Sequence, residues 1–577
     1  MSSEAEFYSE LIEKLNEQKN PTYAKINQIK QNIGKKYKNK KIIKNAQILA
    51  HTKTPEERKK IIQVLNSKPI RELSGVTVVA LFAKPHACPH GKCIYCPGGV
   101  GSIFGDTPQS YTGQEPAALR ARRNLYDPYL QIFNRLEHYV INGHFPDKLE
   151  LIFMGGTFPS LDKTYKDEFV NFTYKAINDF AHEFILVTEK GKTINYEKFF
   201  TFFESEGNFK SEERVLRIHE KILTLKNTNI TSYKEEIKRC ETAPIRPIGL
   251  TIETKPDWAL EKHCSEMLEY GCTRLELGVQ TLNEECLKKT NRGHTLKDTQ
   301  KALQVSKDMC FKINAHMMLG LPASTLEIDE QSLKDLFLNP LYRPDMLKLY
   351  PCLVTKGTPL YELYKRGQFT PIDTKTAAEI IARAYVTFPR YVRVMRVQRD
   401  IPTTLIEEGI RNSNLRQYVD EEVKKLNITV QEIRSREIGQ RQMLGIELGT
   451  FELKIEEFEA SSGKEFFIDV ADENDTMIGF IRLRFPSQIG LRPEITKKTA
   501  LIRELHIYGL TTPVGEEAGE TATVQHKGWG TKLVKKAEDI AKKHGYEKMI
   551  IISGIGVREY YAKLGYSQEG PYMSKLL

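Results

Sequence analysis

The chain has 577 residues, which exceeds the size of one typical domain and predicts several. Hydrophobic residues make up 40% and charged residues 28%, a composition typical of a soluble globular protein. No apolar run is long enough to span a bilayer, and the N-terminus MSSEAEFYSELIEKLNEQ lacks the apolar core of a signal peptide. We therefore expect a cytoplasmic protein that has no membrane partner.

Residues 1–75 are basic and predicted to be mostly helical. The net charge of +10 is unevenly distributed, since nine lysines and no acidic residue occur between Lys19 and Lys44. Within this run Ile26, Ile29 and Ile33 recur at helical spacing, which predicts a basic amphipathic helix. Such a surface is either simply solvated or in contact with a polyanion. The lysine run alone does not show whether that polyanion is a polyphosphate chain or an anionic membrane.

Residues 76–385 alternate between predicted strands and helices. Continuous apolar runs at 75–83, 149–156, 248–256, 274–280, 312–322 and 346–354 predict strands that are covered on both faces. Helical segments such as DPYLQIFNRLEHYVINGH separate many of them, which predicts a parallel sheet with helical crossovers, open or closed into a barrel. In such folds ligands bind at the carboxyl ends of the strands.

The other segments have different patterns. Residues 185–240 are rich in Lys, Glu and Asn and lack the strand–helix rhythm, so we interpret them as an insertion. Residues 386–450 are Arg-rich, with Arg393, Arg396 and Arg399 close together, and we interpret them as a connector whose arginines either extend a nucleic-acid surface or form structural ion pairs. Residues 451–577 are predicted to form a smaller α/β unit.

The stretch HACPHGKCIYCPGGVG contains three cysteines, Cys88, Cys93 and Cys96, with the spacing C-x4-C-x2-C. Thiolates select zinc or iron–sulfur clusters. A structural zinc site needs four ligands, and His86 or His90 is near enough in sequence to complete one. An iron–sulfur cluster held by only three cysteines leaves one iron free to bind a small molecule. The spacing favours the cluster without excluding zinc.

The C-terminal unit contains a glycine motif at the start of a predicted helix. Gln525-x-x-Gly528-x-Gly530 follows the predicted strand RELHIYGL and opens a helix with an apolar stripe. Backbone N–H groups and the helix dipole favour an anion such as pyrophosphate at this position. Farther on, Tyr560 and Tyr561 are adjacent, so on a helix they point about 100° apart and at most one faces a substrate directly.

Several motifs resemble known families. Three closely spaced cysteines after the first strand of a βα sheet resemble the radical S-adenosylmethionine (SAM) enzymes, although C-x3-C-x2-C is the commoner spacing there. MGGT, QSYTGQEP, ETKPD, TRLELGVQT, TNRGHT, AHMMLGLP, RVQRDIP and YYAKLGY resemble the catalytic subunit of Elongator, from about residue 65 to the C-terminus outside the insertion. The glycine motif with its flanking strands and helices resembles the GNAT acetyltransferases.

The resemblance implies an α/β fold: a radical-SAM partial (β/α) barrel followed by a GNAT-type acetyltransferase domain, with the basic helical region in front. It implies that Cys88, Cys93 and Cys96 bind a 4Fe–4S cluster, and that Tyr560 and Tyr561 are catalytic. Candidates for binding SAM are Gly155, Gly156, Thr157, Glu276 and Gln280, the last two being equally explained by core hydrogen bonding. Residues implied for acetyl-CoA are Lys148, Glu504, Leu505, His506, Ile507, Gln525, Gly528, Trp529, Gly530, Thr531 and Tyr561.

The implied activity uses both sites. SAM cleavage at the cluster gives a 5′-deoxyadenosyl radical that takes hydrogen from the acetyl methyl group, and the carbon radical adds to the wobble uridine (position 34) of tRNA to give 5-carboxymethyluridine. The alternatives are a protein lysine acetyltransferase with a structural metal site and a non-catalytic RNA-binding scaffold. The expected partners are tRNA and acetyl-CoA, with a homodimer or an Elongator-type assembly also open; the short C-x4-C spacing favours a stand-alone enzyme.

Overall fold

The computed structural model describes residues 2–18, 21–39, 43, 45–65, 75–189, 191–204, 211–508 and 528–577. The strands are β1 Thr77–Phe82, β2 Gly99–Ser102, β3 Gly105–Thr107, β4 Lys148–Met154, β5 Ile185–Thr188, β6 Gly191–Ile194, β7 Arg246–Thr254, β8 Arg274–Gln280, β9 Lys312–Leu319, β10 Met346–Pro351, β11 Arg393–Val397, β12 Glu452–Ala460, β13 Gly463–Ala471, β14 Met477–Phe485, β15 Thr499–Ile507, β16 Lys548–Ile551, β17 Ser567–Glu569 and β18 Tyr572–Leu576.

The α-helices are α1 Ser2–Asn16, α2 Tyr23–Lys36, α3 Asn45–Ala50, α4 Pro55–Leu65, α5 Pro116–Arg123, α6 Pro128–Ile141, α7 Lys163–Phe184, α8 Tyr196–Phe202, α9 Glu212–Lys226, α10 Tyr233–Cys240, α11 Glu261–Glu269, α12 Glu284–Lys289, α13 Leu296–Asp308, α14 Leu326–Leu338, α15 Pro359–Lys365, α16 Thr374–Ala384, α17 Leu415–Lys425, α18 Ile433–Arg436, α19 Ile438–Met443, α20 Trp529–Lys543 and α21 Arg558–Ala562. No helix in these described ranges is both long and apolar enough to cross a membrane.

The predicted basic amphipathic helix is confirmed as α2. Its isoleucines form the buried stripe, with Ile26 and Ile33 buried and Ile29 packed against the same core. Two lysines of the run have partners: Lys36 forms an ion pair with Glu10 on α1 at 2.7 Å, and Lys30 donates to Asn45 Oδ1 at 2.6 Å. The N-terminal helices therefore pack on one another through their apolar faces and leave most of the described lysines on the outside.

The first sheet has seven parallel strands in the order β1-β4-β7-β8-β9-β10-β11. All six predicted strands are present, and helices cover the outer face as the alternation predicts. The seventh strand, β11, lies in the segment that we interpreted as a connector, so that interpretation is corrected for its first part. Its buried residues Val394 and Val397 each follow an arginine, Arg393 and Arg396, and the arginines conceal the strand signal. The predicted insertion follows α7 and contributes helices α8 to α10 between β4 and β7.

The second sheet has the order β12-β13-β14-β15-β16-β18-β17. Strands β15 and β16 are parallel, but they pair only from Thr499 to Ile502 on β15. Beyond that point β15 continues to Ile507 while β16 ends, and the two strands splay apart. Helix α20 packs on this sheet through the predicted stripe, of which Leu533, Val534, Ala537 and Ala541 are buried.

A buried network of ion pairs joins the two sheets. Its representative contacts are Arg503–Asp345 at 2.5 Å, Arg484–Asp308 at 2.6 Å and Lys307–Glu465 at 3.2 Å. Its buried members are four cations and four anions: Lys307, Arg482, Arg484 and Arg503 with Asp308, Asp345, Glu465 and Glu504. The partly exposed Lys312 also lies 3.9 Å from Glu504. The buried charges balance, which is the condition under which buried ion pairs persist in a low dielectric. The network therefore fixes the second unit against the first.

Candidate active site

The three cysteines of the C-x4-C-x2-C motif line one cavity at the carboxyl ends of the first-sheet strands. Cys93 and Cys96 are buried and Cys88 is half-buried. The imidazole of His90 lies between two of the thiols, with Nδ1 3.2 Å from Cys88 Sγ and Nε2 3.3 Å from Cys93 Sγ. Ser110 N donates to Cys96 Sγ at 3.3 Å, so the loop also orients the third sulfur. The motif thus presents three sulfurs to a common space.

Two buried cations stand beside these thiols. Arg292 Nη1 lies 3.7 Å from Cys93 Sγ, and both Arg292 and Lys255 line the same cavity. Burial raises the pKa of the Cys88 thiol, and the positive charges of Lys255 and Arg292 act in the opposite direction. Because metals and clusters bind the thiolate form, this arrangement of cations suits a group that takes anionic sulfur ligands.

The SAM candidates at the end of β4 lie beside the cysteines. Gly156 and Thr157 line the cavity, and Thr157 Oγ1 is 3.9 Å from Cys88 Sγ. The backbone N–H of Gly155 donates to Glu253 Oε2 at 3.2 Å. Glu253 was not selected from the sequence, although it opens the ETKPD motif and occupies an interior position at the end of β7. It supplies a carboxylate next to the two glycines, where Thr157 supplies none.

The candidates on β8, Glu276 and Gln280, also line the cavity. Glu276 accepts hydrogen bonds from His316 Nε2 at 2.5 Å and from Asn314 Nδ2 at 3.2 Å, and pairs with Lys348 at 2.7 Å. Although burial opposes its ionisation, Lys348 and His316 hold the pKa of Glu276 well below its usual range. Gln280 has a positive φ of 75°, and its Oε1 is buried without a hydrogen-bond partner among the residues described. An unsatisfied acceptor in a strained backbone suits a ligand contact.

A second cavity, of about 490 Å³, opens where β15 and β16 splay. Three of the predicted acetyl-CoA residues on β15 line it, Glu504, Leu505 and His506, and Tyr561 lines it from α21. Ile507 is partly buried against the second-sheet core instead. Lys148 starts β4 and does not line this cavity, whereas Glu150, its neighbour on the same strand, does.

The predicted anion-binding motif lies at the start of α20. Gly528 is the N-cap in the left-handed conformation, with φ of 72°, and the first turn contains no acidic residue. Its amides and the positive end of the helix dipole can therefore receive an anion. A Cβ at Gly530 would lie 2.6 Å from the hydroxyl of Tyr560, so this glycine makes room for the tyrosine. Trp529 is partly buried beside the second core, and Gln525 lies outside the described residues.

The two tyrosines point in different directions, as predicted. Tyr561 is buried and lines the second cavity, whereas Tyr560 hydrogen-bonds to Thr531 at the start of α20. Their rings are 5.2 Å apart at 74°. Burial raises the pKa of both phenols, so each remains protonated at neutral pH.

The two cavities lie at opposite ends of the same barrel interior. On β8, Arg274 lines the second cavity and Glu276 the first; on β10, Met346 lines the second and Lys348 the first. Alternate residues of a strand face the same side, so two positions along a strand separate the cavity walls by roughly 7 Å. On these two strands, a single step between neighbouring inward-facing residues therefore separates the cavities.

The arginines near β11 face these cavities. Arg393 lines the second cavity and pairs with Glu437 at 2.6 Å, which is the structural ion pair that the sequence allowed. Arg396 and Arg399 line the first cavity.

A parallel half-barrel with three cysteines in its first loop, joined to a sheet whose central strands splay around a cavity, defines a radical SAM protein fused to a GNAT acetyltransferase. Family models match in chain order: the ELP3 N-terminal domain at residues 4–73, the Radical SAM superfamily at 84–336, the Radical_SAM C-terminal domain at 344–425 and the Acetyltransferase (GNAT) family at 436–566.

Whole-length relatives agree. The chain is 43% identical to the tRNA uridine(34) acetyltransferase of Methanocaldococcus jannaschii, over 92% of this chain and 90% of that protein. It is 39% identical to Elongator complex protein 3 of Homo sapiens, over 91% of this chain and 88% of that protein. The solved structure of Methanocaldococcus infernus Elp3 with an N-terminal deletion matches with a TM-score of 0.69 and 37% identity, over 87% of this chain and 99% of that one. The chain belongs to the Elongator complex protein 3 family.

Proposed function

We propose that this chain modifies the wobble uridine of tRNA and uses SAM and acetyl-CoA to form 5-carboxymethyluridine. The observation that carries the proposal is the position of the cysteine cavity and the splayed-strand cavity at opposite ends of one barrel interior. The name of the Methanocaldococcus jannaschii relative, tRNA uridine(34) acetyltransferase, supports the choice of substrate.

Cys88, Cys93 and Cys96 would hold a 4Fe–4S cluster. Within the described part of the chain, no three His, Cys, Asp or Glu side chains are grouped closely enough to hold one metal ion. The match of residues 84–336 to the Radical SAM superfamily favours a cluster, in which each thiolate binds a different iron, over a single zinc ion. When bound together, the reduced cluster and SAM supply a radical able to take hydrogen from an unactivated C–H bond.

The chain's own residues would orient SAM in the first cavity. Gly155, Gly156 and Thr157 supply backbone at the end of β4, and Glu253 adds a carboxylate there that can accept from an amino group. Gln280 offers its unsatisfied carbonyl oxygen. Glu276 holds Lys348 and His316 in position by ion pairing and hydrogen bonding, and it closes the floor of the cavity.

Acetyl-CoA would bind in the second cavity. The amides at the start of α20, from Gly528 through Trp529, Gly530 and Thr531, receive the pyrophosphate. The β15 residues Glu504, Leu505, His506 and Ile507 follow the pantetheine along the splay, and Lys148 remains a predicted contact. Tyr561 keeps its proton because burial raises its pKa, so it can donate to the leaving thiolate sulfur; Tyr560 orients the helix entrance through Thr531.

The tRNA would be bound by basic residues of the N-terminal helices and by Arg396 and Arg399 at the mouth of the first cavity. The target base must leave its stack to reach that cavity. We further propose a cytoplasmic, stand-alone enzyme. Light scattering of the purified protein distinguishes a monomer from a homodimer, and activity of the purified chain alone distinguishes a stand-alone enzyme from a subunit that needs other chains.

The test is an anaerobic assay for 5′-deoxyadenosine and 5-carboxymethyluridine, with and without tRNA. Wild type should form both, and Cys93→Ser should form neither while still binding acetyl-CoA. Cys352→Ser is the matched control, since Cys352 is buried nearby but does not line the cavity. A protein lysine acetyltransferase with a structural metal would form no 5′-deoxyadenosine, so its absence from the wild-type reaction refutes the proposal.

A further inference from the structure

Strand β1 is an edge strand of the first sheet, because only β4 pairs with it. Side chains of α5 and α6 cap its free edge. Tyr139 Oη donates to Val78 O at 3.0 Å, and Arg120 Nη2 donates to Ala80 O at 2.9 Å. Covering an edge in this way prevents another chain from pairing with it. Edge capping therefore accounts for Arg120 and Tyr139.

Edge capping does not account for three further basic residues in the same place: Arg123, Arg135 and His138. The guanidinium of Arg135 lies 4.2 Å over the ring of Tyr139 and donates to its hydroxyl at 2.6 Å. The charged groups that lower the pKa values of Arg120 and His138 are all arginines. Tyr139 also shifts the pKa of Arg120, and no carboxylate is among the groups that shift either pKa. In the described ranges these guanidinium groups form no ion pair.

Holding these guanidinium groups together costs free energy. Burial and the charges of Arg135, Arg120 and Arg123 lower the pKa of His138 to about 4. Burial and the charges of Arg135 and Arg123 lower the pKa of Arg120 to about 10. Arg120 is only 8% exposed, and its Nε, like the Nε of Arg135, is buried with no acceptor among the residues described. Unsatisfied donors and uncompensated positive charge are both relieved by an oxyanion.

We propose that Arg120, Arg123, Arg135 and His138 form a binding site for one phosphate of the tRNA backbone. A phosphodiester offers only acceptor oxygens and a negative charge, and guanidinium groups bind it in a forked geometry. The assignment to tRNA rests on the proposed function. Helix α5 starts next to Glu115, which lines the cysteine cavity, and ends at Arg123, so the site lies about 12 Å from that cavity by helical rise.

The experiment measures tRNA binding by the full-length protein at several KCl concentrations, without SAM or acetyl-CoA. Arg123→Gln and Arg135→Gln should each weaken binding and reduce the log–log salt slope by about 0.7 to 0.9, the value for one neutralised phosphate. Arg122→Gln is the matched control, because Arg122 is exposed on the same helix and does not shift the pKa of His138. This variant should leave the salt slope unchanged. Arg120 is left intact because it caps β1.

The outcomes separate the alternatives. Unchanged slopes for Arg123→Gln and Arg135→Gln overturn the site, as do equal reductions in all three variants, which would reflect long-range charge alone. A raised KM for acetyl-CoA with an unchanged tRNA slope would assign the anion to the coenzyme and also overturn it. Wild type that binds no tRNA refutes the proposed function together with the site, whereas wild type that binds tRNA while the variants behave normally refutes the site alone.

Discussion

The buried ion network between the two sheets yields a quantitative prediction for Asp345→Asn. Asp345 accepts hydrogen bonds from Arg503 Nη1 at 2.8 Å and from the backbone N–H of Ile313 at 2.8 Å, and it also pairs with Arg503 Nη2 at 2.5 Å. Lys307 lies 3.9 Å away. Although burial opposes ionisation, Arg503 and Lys307 hold the pKa of Asp345 well below its usual range. The substitution removes one negative charge and leaves the cations in excess.

Removing one partner of a buried ion pair costs about 3–5 kcal/mol, because the remaining charge is left uncompensated in a low dielectric. A tenfold change in an equilibrium constant corresponds to about 1.36 kcal/mol. The substitution should therefore raise the equilibrium constant for local opening of the interface roughly 10²- to 10⁴-fold. A multidomain chain does not unfold in two states, so the local opening equilibrium is the appropriate quantity.

Hydrogen exchange measured by mass spectrometry reports that equilibrium. Peptides that cover β9, including Ile313, and β15 should exchange faster in Asp345→Asn by that factor, while α2 is unaffected. Glu547→Gln is the control, since Glu547 pairs with Lys498 on the surface at 2.6 Å and exposed pairs contribute little. If Asp345→Asn exchanges no faster than Glu547→Gln, the network does not hold the two sheets together.

Three further predictions concern a tyrosine, two lysines and an aspartate. Tyr561→Phe should lower tRNA-stimulated acetyl-CoA turnover by about 10²-fold or more, as for loss of a general acid, with a smaller effect for Tyr560→Phe; equal effects would contradict the assignment. Replacing Lys35 and Lys38 by Gln should flatten the salt dependence of tRNA binding by about 0.9 for each duplex phosphate that is no longer neutralised, and an unchanged slope would mean that these lysines are only solvated. Burial raises the pKa of Asp329 to about 6, so the folded chain keeps a proton that the unfolded chain loses above about pH 4. Wild type should therefore gain thermal stability as the pH falls from about 6 to about 4, and Asp329→Asn should lack this gain. Identical pH profiles of thermal stability for the two proteins would refute this prediction.

Strand and helix positions in the first sheet were predictable because covered parallel strands read as continuous apolar runs. Strand β11 was not, because Arg393 and Arg396, which line the two cavities, place charges within a short apolar run and conceal the strand. The pairing of Lys36 with Glu10 was equally hidden, since the two residues meet only when α1 packs on α2.

The functional residues likewise divide into those that local sequence spacing predicts and those that only the fold brings together. Local spacing pointed to Cys88, Cys93 and Cys96 because ligands within one loop are close in sequence as well as in space. Glu253 was missed because it approaches Gly155 only through the pairing of neighbouring strands. The position of Lys148 away from the second cavity, and of Glu150 in it, depends on how the two sheets are joined.

The sequence alone therefore determined the parallel sheet, the cysteine loop, the glycine-capped helix and the family resemblance, all of which rest on short-range periodicity and spacing. Only the tertiary structure decided that the two cavities share one barrel interior and that four cations and four anions join the sheets. The physical reason is that these features depend on contacts between residues far apart in the chain, which local patterns do not encode.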